Sequence, residues 1–219
     1  MKRNGKRELY AGLSRLALFA VWTGLIQTVD VQPAGQAGTE IGFGALNGWF
    51  HRFTGVHMRL YALTDWLGLI PVGVCILFAG LGALQLIRRK RLGKVDFDIL
   101  LLGLYYAAVI ACYLFFESFP INYRPVLIEG RLEASYPSST TLLVLSVMPT
   151  LTFQSRRRLQ NPGVRKCLCI GANLFSVCMV VGRMLSGVHW ITDIVGAILL
   201  SRGLFRMYRA MVWLHDKEN

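Results

Sequence analysis

Charge is scarce in this chain of 219 residues, and acidic charge scarcest: 16% of residues are charged, with 12 Asp and Glu against 24 Lys and Arg. Hydrophobic residues make up 54% and the mean hydropathy is +0.46, which excludes a solvated disordered chain and favours a membrane bundle over a soluble domain. Cysteine is sparse too. The five cysteines, Cys75, Cys112, Cys167, Cys169 and Cys178, are odd in number and lie in or beside apolar runs. None has the spacing of a zinc site, so no disulfide framework is expected. Cys167 and Cys169, beside Lys166, read as a helix start at a membrane edge. The chain also lacks internal repeats, low-complexity linkers, and any acidic or His/Cys cluster suited to a metal. No cofactor is expected.

The excess positive charge, formally +12, arrives in short blocks between apolar runs. These are Lys2-Arg3 and Lys6-Arg7, then Arg88-Arg89-Lys90-Arg91, then Arg156-Arg157-Arg158, with Arg202, Arg206, Arg209 and Lys217 near the end. Such blocks mark the cytoplasmic edges of membrane spans and can touch anionic headgroups. They need no nucleic-acid partner, and none is expected. Apolar runs cover residues 9–31, 66–87, 97–119, 139–153, 167–185 and 190–208; about 20 residues cross a bilayer core. The fourth is short, and Pro149 within it is expected to kink it. The expectation is an all-α, polytopic membrane bundle of about six transmembrane helices. Both termini would be cytoplasmic, and residues 1–219 would form one domain. Small residues from Ala34 to Ala37 also suit a signal-peptide cleavage site, but removing the first run leaves an odd number of spans, so a retained helix is preferred.

This topology turns residues 32–65, 120–138 and 186–189 outward. In the first of them, Phe43, Leu46, Trp49, Phe50 and Phe53 share roughly one helical face over residues 41–53. That pattern suits a helix lying in the membrane interface, and equally a packed outer lid. Arg131 and Glu133 read as solvated loop residues, and Asp65 as an interfacial one.

The polar residues that need a chemical explanation fall in three outward segments. Gly182-Arg183 is followed after five residues by His189, and four residues later by Asp193. A carboxylate at i+4 can fix an imidazole's orientation and tautomer, leaving its other nitrogen free. Arginine offers a planar fork of donors matched to phosphate, and Arg124-Pro125 supplies a second one. Pro137-Ser138-Ser139-Thr140 looks like a helix start, whose unpaired N–H groups make an anion site. By topology the three segments meet at one membrane face, which points to a histidine nucleophile acting on phosphorus.

The order Arg-Pro, then Pro-Ser-Ser, then Gly-Arg-x5-His-x3-Asp resembles the type-2 phosphatidic acid phosphatase superfamily, whose helical fold is shared with vanadium haloperoxidases. The resemblance spans residues 117–193. It implies that Arg124 and Arg183 bind phosphate with help from Ser138, Ser139 and neighbouring amides. It further implies that His189 attacks phosphorus to form a phosphohistidine, that Asp193 orients the ring, and that no metal is used. The implied function is a membrane lipid phosphatase, acting at the extracytoplasmic face on substrates like phosphatidic acid or undecaprenyl pyrophosphate. Ser139 stands where the second motif of the family pattern has glycine and, a milder change, Gly182 where the third has serine; two further departures matter more. Glu117 stands where the first motif has lysine, and Thr140 where the second has the histidine that serves as general acid. The alternatives are therefore a lipid-phosphate-binding protein without turnover, or a phosphotransferase. Glu117 is one substitute acid, or else a partner for Arg124; His51 and His57 are remoter ones.

Overall fold

The computed structural model describes residues 5–218; Lys2 and Arg3 of the first basic block lie outside them. Among the described residues the chain forms α1 (Gly5–Thr28), α2 (Gly44–Thr54), α3 (Met58–Leu67), α4 (Leu69–Arg89), α5 (Phe97–Ser118), α6 (Ser139–Arg158), α7 (Pro162–Leu185) and α8 (Ile191–Glu218). Among the described residues no strand joins them, only isolated β-bridges within loops. The stretches Gly5–Thr28, Met58–Arg89, Phe97–Ser118 and Pro162–Leu185 are long and apolar enough to cross a membrane. Leu77, Leu104, Leu174 and Val177 point outward and are largely exposed, as a lipid-facing surface requires.

α6 and α8 form the axis of the bundle. α1 lies along α8, α7 along α6, α5 against α8 and α4 against α6. Leu142, Val144 and Val147 of α6 interlock with Leu200, Phe205 and Tyr208 of α8 and with Leu102 and Tyr105 of α5. This central position explains why α6 and α8 are less apolar than their neighbours. Their polar side chains, among them Thr150, Gln154 and Ser201, are buried against other helices and are not presented to lipid.

The helix bounds differ from the apolar runs for identifiable reasons. The run expected from residue 66 begins at Met58 and breaks at Gly68. Pro71 has no N–H to offer the Leu67 carbonyl, so α3 ends there and α4 starts afresh. α6 continues through Pro149 to Arg158 because its last turn is held by ion pairs. Arg157 Nε and Arg158 Nη2 reach the two oxygens of Asp98 at 3.0 and 2.7 Å, Arg157 Nη1 reaches Asp216 at 2.6 Å, and Arg158 Nη1 reaches Asp96 at 2.9 Å. Two members of that basic block thus clamp α6 to α5 and α8. α8 extends to Glu218 because its second half packs on α1, with Gly5 facing Leu214 and Gly12 facing Met207.

α2 forms within the amphipathic segment. Leu46, Trp49 and Phe53 are exposed on one side of it, while Asn47 on the other is fully buried. Asn47 Nδ2 donates to Gly42 O at 2.8 Å and to Thr192 Oγ1 at 3.0 Å. α2 is thereby fastened to the first turn of α8, beside His189 and Asp193.

Candidate active site

Three pieces of chain meet at the end of the bundle opposite the arginine clamp. Arg124 comes from the 120–138 loop, Ser138, Ser139 and Thr140 from the start of α6, and Arg183, His189 and Asp193 from the α7–α8 junction. That junction is tight. Gly187 has φ +70°, and a Cβ there would run into the Gly55 carbonyl; His57 N donates to Ser186 O at 2.9 Å. Glycine is required for α7 to turn back as α8 under the α2–α3 connection.

The two ring nitrogens of His189 are in different situations. Nδ1 lies 3.1 Å from Ser135 Oγ, and Ser135 Oγ lies 2.5 Å from Asp193 Oδ2. The direct distance from Nδ1 to Asp193 Oδ2 is 3.8 Å, too long for a hydrogen bond. A carboxylate only accepts, so the Ser135 hydroxyl gives its proton to Asp193 and accepts from Nδ1–H. This network assigns the ring proton to Nδ1 and leaves a lone pair on Nε2. Nε2 is buried and has no hydrogen-bond partner among the described residues. Asp193 is held on its other sides by Asn122 Nδ2 at 3.2 Å and by the Trp190 N–H at 2.9 Å. Burial is the main cause that pushes the His189 imidazole down to about 4, with Asp193 opposing and Arg124 and Arg183 adding to the fall. The ring is neutral at pH 7, the state a nucleophile needs.

The arginines show the same feature. Arg183 is 1% exposed and Arg124 6%, yet Arg183 Nε and Arg124 Nε and Nη1 have no hydrogen-bond acceptor among the described residues. Arg124 Nε lies 3.1 Å from Glu133 Oε2 without the alignment of a hydrogen bond. Unmet buried donors cost ~1–3 kcal/mol each, so both guanidinium groups keep donors for an entering anion. Tyr61 sits beneath both guanidinium groups, its ring centre 4.7 Å from Arg183 Cζ and 5.7 Å from Arg124 Cζ. Arg183 Nη1 also faces Thr64 Oγ1 at 3.3 Å and the Tyr61 carbonyl at 3.4 Å, and Nη2 lies 3.8 Å from Asp65. Two like charges are thus held in one buried place by an aromatic face and by carboxylates at the rim.

At the start of α6, Ser138 is the N-cap residue but its side chain caps no amide; its hydroxyl donates to Thr141 Oγ1 at 3.0 Å. The Ser138 N–H goes to the Asp193 carbonyl at 3.3 Å, which joins α6 to α8. The amides of Ser139, Thr140 and Thr141 have no acceptor within the helix, so the positive end of α6 stays open. Thr140 lies against the α3–α4 turn, its methyl group 3.6 Å from where a Cβ on Gly68 would be.

Arg124, Arg183, His189, Asp193 and the Ser138–Thr140 turn are therefore gathered at one end. Glu117 is not among them: it is exposed, and with Ser135, Tyr136 and Ser139 it lines a narrow crevice. Arg124 takes Glu133, a half-exposed residue at the rim, as its ion-pair partner. His57 is exposed and bonds its ring to the Thr54 carbonyl, whereas His51 tilts against Trp190 at 5.5 Å. Ser135, Asn122, Tyr61 and Thr64 join the site without having been singled out in the sequence. Tyr61, Thr64 and Asp65 fall at i, i+3 and i+4 of one helix, a spacing that is visible once α3 is recognised. Among the described residues no three His, Cys, Asp or Glu side chains converge as metal ligands would.

The sequence pattern of the PAP2 superfamily matches residues 104–217, which contain every one of the motif residues just placed. The chain belongs to the PAP2 superfamily. Its fold agrees with a crystal structure described as the first transmembrane PAP2 type phosphatidylglycerolphosphate phosphatase from Bacillus subtilis, at TM-score 0.58 and 19% identity. That likeness covers 95% of this chain and 96% of the other, and at such identity it speaks for the fold. No curated protein matches the chain. As a PAP2 protein the chain is a multi-pass helical membrane protein with the fold of a lipid phosphatase.

Proposed function

We propose that this PAP2 protein hydrolyses lipid phosphates or pyrophosphates through a phosphohistidine on His189. The observation that carries the reading is the set of orphaned polar atoms: a neutral, buried Nε2 beside three unmet guanidinium N–H groups. A phosphoryl group's oxygens would take the free donors of Arg124 and Arg183 and the open amides of Ser139, Thr140 and Thr141. Nε2 would attack phosphorus while the bond to the leaving oxygen breaks. Ser135 and Asp193 would stabilise the positive ring that forms. Water would then attack phosphorus, breaking the P–N bond and releasing phosphate. Two guanidinium groups and a helix end supply the charge a metal would otherwise bring, so a metal-independent reaction is proposed.

The leaving group sorts the substrates. Thr140 cannot give up a proton near neutral pH, so an alkoxide leaves without help, at a cost of ~10²–10⁴ in rate. A phosphate leaving group, with a second pKa of about 6, needs no acid. Lipid pyrophosphates are therefore the favoured substrate class. The site is proposed to face the extracytoplasmic side in a bundle of about six spans, with residues 1–219 acting as one domain. Thr140 and Glu117 favour one second reading, a PAP2 protein that binds lipid phosphate without turnover. The test is phosphate release by the purified protein from a panel of lipid phosphates and pyrophosphates, beside His189→Ala, with acid-labile label trapped on the protein. Label on His189 and release above that variant support hydrolysis; binding with neither supports the second reading.

A further inference from the structure

A wide open groove lies remote from His189. α7 and α8 both pack on α6 but barely touch one another below the site, and the gap between them encloses about 590 Å³. Its floor is the α6 stripe Leu145, Pro149, Phe153 and Arg156, and its walls include Val177 of α7 and Phe205 of α8. The lining is mainly apolar towards Leu145 and Val181. The lower end, at the arginine clamp, carries Arg156, Arg157 and Arg209, with Trp213 beside them, while Arg202 stands on the α8 wall one to two turns nearer His189, roughly 10 Å above Arg209.

These arginines are not equivalent. Arg157 is committed to Asp98 and Asp216, while Arg209 stacks 4.5 Å from the Trp213 ring centre and lies 3.5 Å from Glu8. Arg156 and Arg202 are exposed and form no ion pair among the described residues. Arg209 Nε is buried and has no acceptor. The groove thus carries one free cation, Arg202, on its wall, and ends in a second, Arg156, and an unmet buried donor with an aromatic residue at its side. From Leu145 to Arg156 the stripe rises roughly 16 Å at 1.5 Å per residue. That is the depth of one leaflet of a ~30 Å hydrocarbon core.

We propose that this groove binds one anionic phospholipid from the leaflet at the basic end of the bundle. Its acyl chains lie along Leu145, Pro149, Val177 and Phe205, and its phosphate meets Arg156 and the Arg209 N–H, with the long side chain of Arg202 reaching down towards it from the wall. The charge pattern selects this occupant. A second copy of the chain would set the same arginines face to face, and a zwitterionic lipid would leave the positive end uncompensated. The ligand is not the substrate, because the groove's charged end and His189 lie at opposite ends of α8.

The test is lipid binding to the full-length protein in detergent, read by native mass spectrometry and by the thermal-unfolding midpoint. The probes are phosphatidylglycerol, a phosphodiester with no terminal phosphate to remove, and phosphatidylcholine of the same chains. Wild type is expected to prefer the anionic lipid by about thirtyfold, the worth of two arginines at a membrane surface. The double variant Arg156→Gln/Arg202→Gln loses that preference, and Val177→Trp, which fills the groove with the arginines intact, loses the binding. Arg124→Ala, altered at the phosphate site, retains both. A preference below threefold in wild type overturns the proposal, as does an undiminished one in the double variant. A wild-type dimer that Val177→Trp converts to monomer also overturns it, by giving the groove to a second chain.

Discussion

Ser135→Ala is the sharpest test of how Asp193 reaches His189. The hydroxyl is 2% exposed and bridges the two, at 3.1 Å from Nδ1 and 2.5 Å from Oδ2, across a direct gap of 3.8 Å. Removing it strips Nδ1–H of its acceptor and Asp193 of one of its donors. A buried hydrogen bond to a charged group is worth ~1.5–3 kcal/mol, so the step that forms the imidazolium should slow roughly 10- to 150-fold. Ser135→Thr, which keeps the hydroxyl, should recover most of the rate. The assay is single-turnover formation of phosphohistidine, which isolates this step from phosphate release. Substrate affinity should hold, since Arg124 and Arg183 are untouched. A Ser135→Ala rate within threefold of wild type would show that the carboxylate acts on the ring directly, and the bridge would be incidental.

Three other outcomes test separate parts of the structure. With a folded-state pKa of about 4 against an ordinary 6.5, His189 should give the 15N spectrum of a neutral, Nδ1-protonated ring at pH 5, and an imidazolium spectrum there refutes it. The unfolded chain takes up that proton first, so stability should fall by roughly 3 kcal/mol as pH drops from 6.5 towards 4, seen as a falling thermal midpoint. Gly187→Ala should cost ~1–3 kcal/mol, because φ +70° disfavours a side chain and the new methyl meets the Gly55 carbonyl; an unchanged midpoint would contradict that packing. Tyr61→Leu removes the ring shared by both guanidinium groups and should raise KM about tenfold while leaving kcat within threefold; a selective fall in kcat would assign Tyr61 to the chemistry.

The legible parts of the sequence were those written in local patterns. Apolar runs located α1, α5 and α7, and the motif residues Arg124, Arg183, His189 and Asp193 gather as their order suggested. Residues whose meaning depends on a distant partner were not legible. Ser135 has no identity apart from Asp193, 58 positions away, and Glu133 looks like a loop residue until Arg124 is beside it. α3 was hidden because Gly68 and Pro71 split one apolar stretch into two helices, which put Tyr61 and Thr64 on a face no hydropathy scan isolates. Arg157 and Arg158 fit a topology rule so well that their use against Asp98 left no separate trace.

The surroundings of Thr140 and Glu117 bear on the proposed lack of a general acid. Thr140 packs against the α3–α4 turn, and Glu117 stays exposed, so neither is presented as a buried acid. The proposed attacking side keeps its parts, an unpartnered Nε2 and unmet guanidinium donors among the described residues. Under the proposed reaction, a site with a nucleophile and no acid discriminates by leaving group alone. Wild type should therefore release phosphate from a lipid pyrophosphate at least tenfold faster than from the matched monophosphate, since the missing acid is worth ~10²–10⁴. Thr140→His should narrow that ratio by raising the monophosphate rate and leaving the pyrophosphate rate nearly unchanged. Equal rates in wild type, or a histidine variant that accelerates both substrates alike, would mean that a proton reaches the leaving oxygen by another route.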